Sequence, residues 1–80
     1  MARYNIKAFG ITRDILGNKE NVLEVEGGTV ADLRQFLTSN YPRLSGLRSL
    51  FIAVNHNYAD DSVELRETDE IALIPPVSGG

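Results

Sequence analysis

Apolar and polar residues alternate from the start of the chain. Tyr4, Ile6 and Ala8 interleave with Arg3, Asn5 and Lys7, a period of two that predicts a strand over 3–9 with one face buried. Phe9 falls on the polar parity, so it is either exposed or the strand's end. Residues 11–16 suit a short helical turn stopped by Gly17-Asn18. Leu23 and Val25 alternate with Glu24 and Glu26 in a second strand, and Gly27-Gly28 then frees the chain to turn. Thr29 opens the clearest helix, as an N-cap with Asp32 at the capping-box position. Val30, Leu33, Phe36 and Leu37 share one face of it. Asn40-Tyr41-Pro42 ends it, because proline disfavours helix in the residue before it.

Residues 43–49 read as a loop. Leu50 to Val54 is almost wholly apolar and predicts a strand buried on both faces. Phe51 reads there as a core residue. Asn55-His56-Asn57 has turn character. The polar stretch 58–67 predicts a short exposed strand around Val63 and Leu65, and Thr68-Asp69 a further turn. Glu70 to Ile74 is the last strand, stopped by Pro75-Pro76, since proline cannot donate to a ladder. Strand, strand, helix, strand, short strand, strand is an α+β order. It matches the β-grasp layout, a mixed sheet with one main helix packed across it. A ferredoxin-like fold would want a second helix of similar quality, and none is legible. One domain over 1–76 and a mobile Gly-Gly tail over 77–80 are the expected organisation.

Composition narrows the chemistry. The 80 residues include no cysteine and one histidine, which disfavours disulfides, thiolate metal sites and a cysteine nucleophile. No bound metal and no tightly held cofactor are expected. Any sulfur chemistry must use sulfur supplied from outside. A net charge of −3 argues against nucleic acid as a partner. There is no bilayer-length apolar run and no basic-then-apolar start, so no membrane partner, no cleaved leader and a cytoplasmic home are expected. Acidic residues crowd 60–70: Asp60, Asp61, Glu64, Glu67, Asp69 and Glu70, against Arg66 alone. They read as a solvated turn or as an acidic face for a basic partner, and both readings stay open.

Internal catalytic groupings are poor. Ser62, His56 and Asp60 share a polar stretch without a nucleophile elbow and read as turn residues, with His56 a surface histidine. Gly27-Gly28 lacks the spacing and lysine of a phosphate loop. The C-terminal run is different. Pro75 and Pro76 fix φ and aim the exit, Val77 and Ser78 follow, and Gly79-Gly80 has no side chain to obstruct a narrow channel. From Pro76 the chain reaches roughly 16 Å when extended. A carboxylate presented this way suits activation and transfer as an acyl group. Recognition of partners calls for an exposed apolar patch, for which Phe9 and Phe51 are candidates, core packing being the alternative for each and the preferred reading for Phe51.

The stretch from Asp69 to Gly80, with its acidic turn, apolar strand, Pro-Pro pair and terminal Gly-Gly, resembles the signature of the molybdopterin synthase small subunits. Ala53-Val54-Asn55 is similar to their central-strand motif, and Arg34, two residues before Phe36, sits in a helix similar in place. The resemblance implies a ubiquitin-like carrier. An adenylating enzyme would use ATP to convert the Gly80 carboxylate to an acyl-adenylate, and a sulfur donor protein would make the thiocarboxylate. The large subunit, in a complex of two small and two large chains, would then take the sulfur onto cyclic pyranopterin monophosphate. Pro75, Pro76, Val77, Ser78 and Gly79 would bind the partner, whose side chains would do the catalysis. A thiamine-pathway sulfur carrier, a ubiquitin-like protein modifier and a non-carrier binding domain are the rival readings.

Overall fold

The first strand forms over Ala2–Ala8 (β1) in the computed structural model, which describes residues 1–46 and 50–75. Tyr4, Ile6 and Ala8 are buried, as the alternation requires. Ile11–Leu16 is a short helix (α1), closed by Gly17 at φ 92°, a left-handed cap that glycine adopts without strain. Glu20–Val25 (β2) pairs antiparallel with β1.

Val30–Asn40 (α2) begins at Thr29 with the predicted capping box. The Thr29 hydroxyl accepts from the Asp32 N–H at 3.2 Å, and the Asp32 carboxylate accepts from the Thr29 N–H at 3.2 Å. Gly27 precedes the cap at φ 112°, and a side chain there would meet the Asp32 carboxylate at 2.4 Å. Val30, Leu33 and Leu37 are fully buried against the sheet, while Phe36 packs at the edge of the core.

Three expectations change in the second half. Pro42–Ser45 is a helical turn (α3) rather than loop: proline at the first position is pre-set for helix, and Leu44 is buried by it. The apolar run yields Phe51–Val54 (β3), but it is not buried on both faces. The helices cover only one side of the sheet, so Ile52 is buried while Phe51 is 48% exposed. No strand forms around Val63 and Leu65; Glu64 makes one isolated bridge to Thr29, and Leu65 is buried. The first N–H groups of α2 explain this. Val30 and Ala31 donate to the Val63 and Asp61 carbonyls at 2.9 and 3.1 Å, so this segment caps the helix instead of joining the sheet.

Asn57–Tyr58 (β4) follows β3 through a two-residue turn in which Asn55 and His56 both have positive φ, the geometry that matches strand twist. Glu70–Ile74 (β5) lies between β1, to which it is parallel, and β3, to which it is antiparallel. The sheet order is β2-β1-β5-β3-β4. It is the mixed sheet with one main helix across it that the element order predicts.

Candidate functional site

The face of the sheet without helices gathers the outward residues of every strand. Register places Phe51 opposite Ile74, and Ala53 between Tyr58 and Ala72. The Phe51 and Tyr58 rings stack with centroids 5.4 Å apart. Phe9, 40% exposed, lies just past the end of β1. Its backbone is tied off locally: the buried Thr12 hydroxyl accepts from the Phe9 N–H at 2.9 Å and donates to the Phe9 carbonyl at 2.6 Å. Phe9, Tyr58, Ala53, Ala72 and Ile74 line a shallow hollow of about 380 Å³. An adjacent hollow of about 430 Å³ is lined mostly by polar residues, among them Asn5, Glu20, Asn21 and Asp69.

Lys7 and Glu70 form the ridge between the two. Lys7 Nζ donates to Glu70 Oε1 at 2.6 Å, and His56 Nε2 lies 2.8 Å from Glu70 Oε2. The hydrogen bond and charge of Glu70 raise the Lys7 ammonium above its ordinary value, and the same bond and charge from Lys7 lower the Glu70 carboxyl. His56 therefore faces Glu70, while Ser62 bonds Asp60 through its hydroxyl and N–H. These three residues form no catalytic set.

The root of the C-terminal run adjoins the apolar hollow. Ile74, on its wall, is followed by half-buried Pro75, whose ring would come within 3.2 Å of any side chain at Gly10. Pro76, Val77, Ser78, Gly79 and Gly80 lie outside the described residues. Of the acids at 60–70, four are used within the fold. Asp60 caps Ser62, Asp61 holds Arg34, Asp69 accepts from Asn55 and from the Arg66 N–H, and Glu70 holds Lys7. No metal-binding cluster occurs among the described residues, and no described helix is long and apolar enough to cross a membrane.

Of the predicted site residues, then, Phe9 and Pro75 are brought to one end of the open face. Phe51, Tyr58 and Ile74 complete that surface; of these the sequence offers Phe51 alone as a patch candidate, and its exposure corrects the preference for a core position. Parity was a signal for Ile74 alone, which shares its register with Glu70 and Ala72 and not with buried Ile71 and Leu73.

Comparisons with known proteins bear on the family and the fold. The sequence profile of the ThiS family matches residues 6–80. The molybdopterin synthase sulfur carrier subunit of Mycobacterium tuberculosis is 38% identical over the whole of both chains. The small archaeal modifier protein 1 of Methanosarcina acetivorans superposes with a TM-score of 0.80 at 30% identity, covering 100% of this chain and 98% of that one. A chain in the complex of subunits 1 and 2 of the molybdopterin-converting factor from Helicobacter pylori superposes with a TM-score of 0.67 at 25% identity, covering 98% and 99%.

Proposed function

The chain belongs to the ThiS family, and on that premise we propose that it is a sulfur carrier of molybdenum cofactor biosynthesis, working through the carboxylate of Gly80. A carboxylate is a poor acyl donor because its oxygen leaves badly. Attack of that oxygen on the α-phosphate of ATP, in a partner adenylating enzyme, releases pyrophosphate and installs AMP as a good leaving group. A donor that delivers sulfur at the sulfide level then attacks the acyl carbon, the C–S bond forming as the C–O bond to AMP breaks, and AMP leaves behind the thiocarboxylate. The charged tail enters the large subunit of molybdopterin synthase, and sulfur passes to cyclic pyranopterin monophosphate. The carrier contributes the acyl group and the docking face, and it holds no cofactor of its own. Its setting in this reading is the cytoplasm, and its assembly with the large subunit two plus two.

The observation that carries the reading is the placement of the tail's root. β5 delivers the chain out of the sheet at Pro75, beside the aromatic-lined hollow of Phe9, Tyr58 and Ile74. A partner seated on that hollow is within reach of the carboxylate, at roughly 3.3–3.6 Å per extended residue. Gly79 and Gly80 fit a channel that side chains would block.

The test is to incubate the protein with adenylating enzyme, ATP and a sulfur source, then weigh it intact. Wild type should gain the mass of one oxygen exchanged for sulfur. A chain extended beyond Gly80 by a tag has an amide there and should gain nothing, with its melting temperature unchanged. Equal sulfuration of the tagged protein at Gly80 would overturn the reading. The likeness to an archaeal modifier protein favours one second reading, attachment of the same terminus to protein lysines. Isopeptide-linked Gly80 in tryptic digests of cells would mark it.

A further inference from the structure

The backbone of β3 alternates between its two neighbours. The Asn55 N–H donates to the Glu70 carbonyl of β5 at 2.8 Å, whereas the Ile52 carbonyl accepts from the Ala59 N–H, just past β4, at 2.9 Å. By that alternation the Leu50 carbonyl also points to the β4 side. There the ladder has ended. Continued register would set Asp61 opposite Leu50, but Asp61 has turned away to cap α2, its carbonyl accepting from the Ala31 N–H. An edge carbonyl on a buried residue needs another partner.

Arg34 supplies it. Its Nη1 donates to the Leu50 carbonyl at 2.7 Å and its Nε to Asp61 Oδ1 at 3.1 Å. One planar guanidinium thus ties α2 to both sides of the break, a geometry that a lysine ammonium on a flexible stem does not reproduce. The next residue after Leu50 is Phe51. We propose that Arg34 is a positioning residue for docking: by holding the Leu50 carbonyl it sets the entry of β3, so that Phe51 stands on the open face against Tyr58 and opposite Ile74. This rests on the docking role given to that face above. Among the described residues the Arg34 guanidinium bonds Leu50 and Asp61, and its effect passes through Phe51.

That dependence is what a double-mutant cycle reads. Arg34→Met keeps the aliphatic stem and deletes the donors; Phe51→Ala deletes the ring. The full-length chain, each single variant and the double variant are titrated against the synthase large subunit. Each single variant should bind about tenfold more weakly, while Arg34→Met in the Phe51→Ala background should cost less than about twofold. The Tyr58 ring resonances should move in Arg34→Met, and single-turnover sulfur transfer within the saturated complex should stay within about twofold of wild type. The same fold loss in both backgrounds would make Arg34 an ordinary stabiliser of the fold and overturn the inference. So would wild-type binding by a folded Arg34→Met. Should Arg34→Met not fold, the cycle runs with Arg34→Lys, whose smaller loss must likewise vanish without Phe51. If Phe51→Ala itself binds like wild type, the docking face and this inference fall together. If Phe51→Ala binds weakly and Arg34→Met does not, only the inference falls.

Discussion

Three donors converge on one oxygen at Asp32: the Thr29 hydroxyl at 3.0 Å, the Thr29 N–H at 3.2 Å and the Gly28 N–H at 3.0 Å. All favour the charged carboxylate and hold it below its ordinary value. The consequence for pH has a definite sign. A lowered folded value gives stability that is complete above the unfolded value of about 3.9 and is lost as pH falls through the folded one. Asp32→Asn should therefore melt lower than wild type at neutral pH, with the gap closing on acidification. Thermal unfolding across the acid range checks this, and a gap that widens on acidification would contradict it. The space beside that carboxylate is also filled. Gly27→Ala puts a methyl group 2.4 Å from it at a φ of 112°, where side chains are strained. It should destabilise by about 1–3 kcal/mol, readable in urea titration, whereas Gly28, open on all sides, should tolerate alanine better.

Within β3, neighbouring residues do opposite jobs. Ile52 is buried in the core and Phe51 stands on the open face. Ile52→Ala should cost about 2–5 kcal/mol of stability. Phe51→Ala should cost well under that, yet weaken docking about tenfold. Chemical unfolding and titration with the large subunit separate the two, and a Phe51→Ala variant as unstable as Ile52→Ala would return Phe51 to the core. This strand also shows what a sequence can and cannot say. β1 was legible because Tyr4, Ile6 and Ala8 alternate with polar residues, and α2 because Thr29 and Asp32 announce its start. Leu50 to Val54 carries no alternation, so nothing in it distinguishes Phe51 from Ile52. Pro42–Ser45 is too short for a helical period to register. The segment 61–65 was misread because the acceptors it offers are backbone carbonyls, which every residue type carries. The tail was legible as a motif. The apolar face beside its root was legible only in part, since Phe51, Tyr58 and Ile74 come together through strand register.

Taken whole, the molecule carries a net charge of −3, with its acids spent unevenly. Asp69 and Glu70 were natural candidates for attracting a basic partner, but hydrogen bonds and the Lys7 pair occupy them. Glu64 and Glu67 are exposed and sit in the same segment. Reversing both to lysine should slow association with the large subunit severalfold at low salt and much less at high salt. Stopped-flow association rates test this, and rates that do not change at low salt would remove charge steering from the picture. The strand order has a different kind of consequence. β5 is the last strand of the fold in sequence and the middle one in space. Remove it, and what remains is a β1-β2 hairpin and a β3-β4 hairpin with no shared ladder, each marginal alone. A ribosome that stalls before Glu70 therefore releases a chain that cannot close its sheet. The strand that completes the sheet is also the one that leads into the tail, so the fold waits until the chain has been made as far as the tail's root.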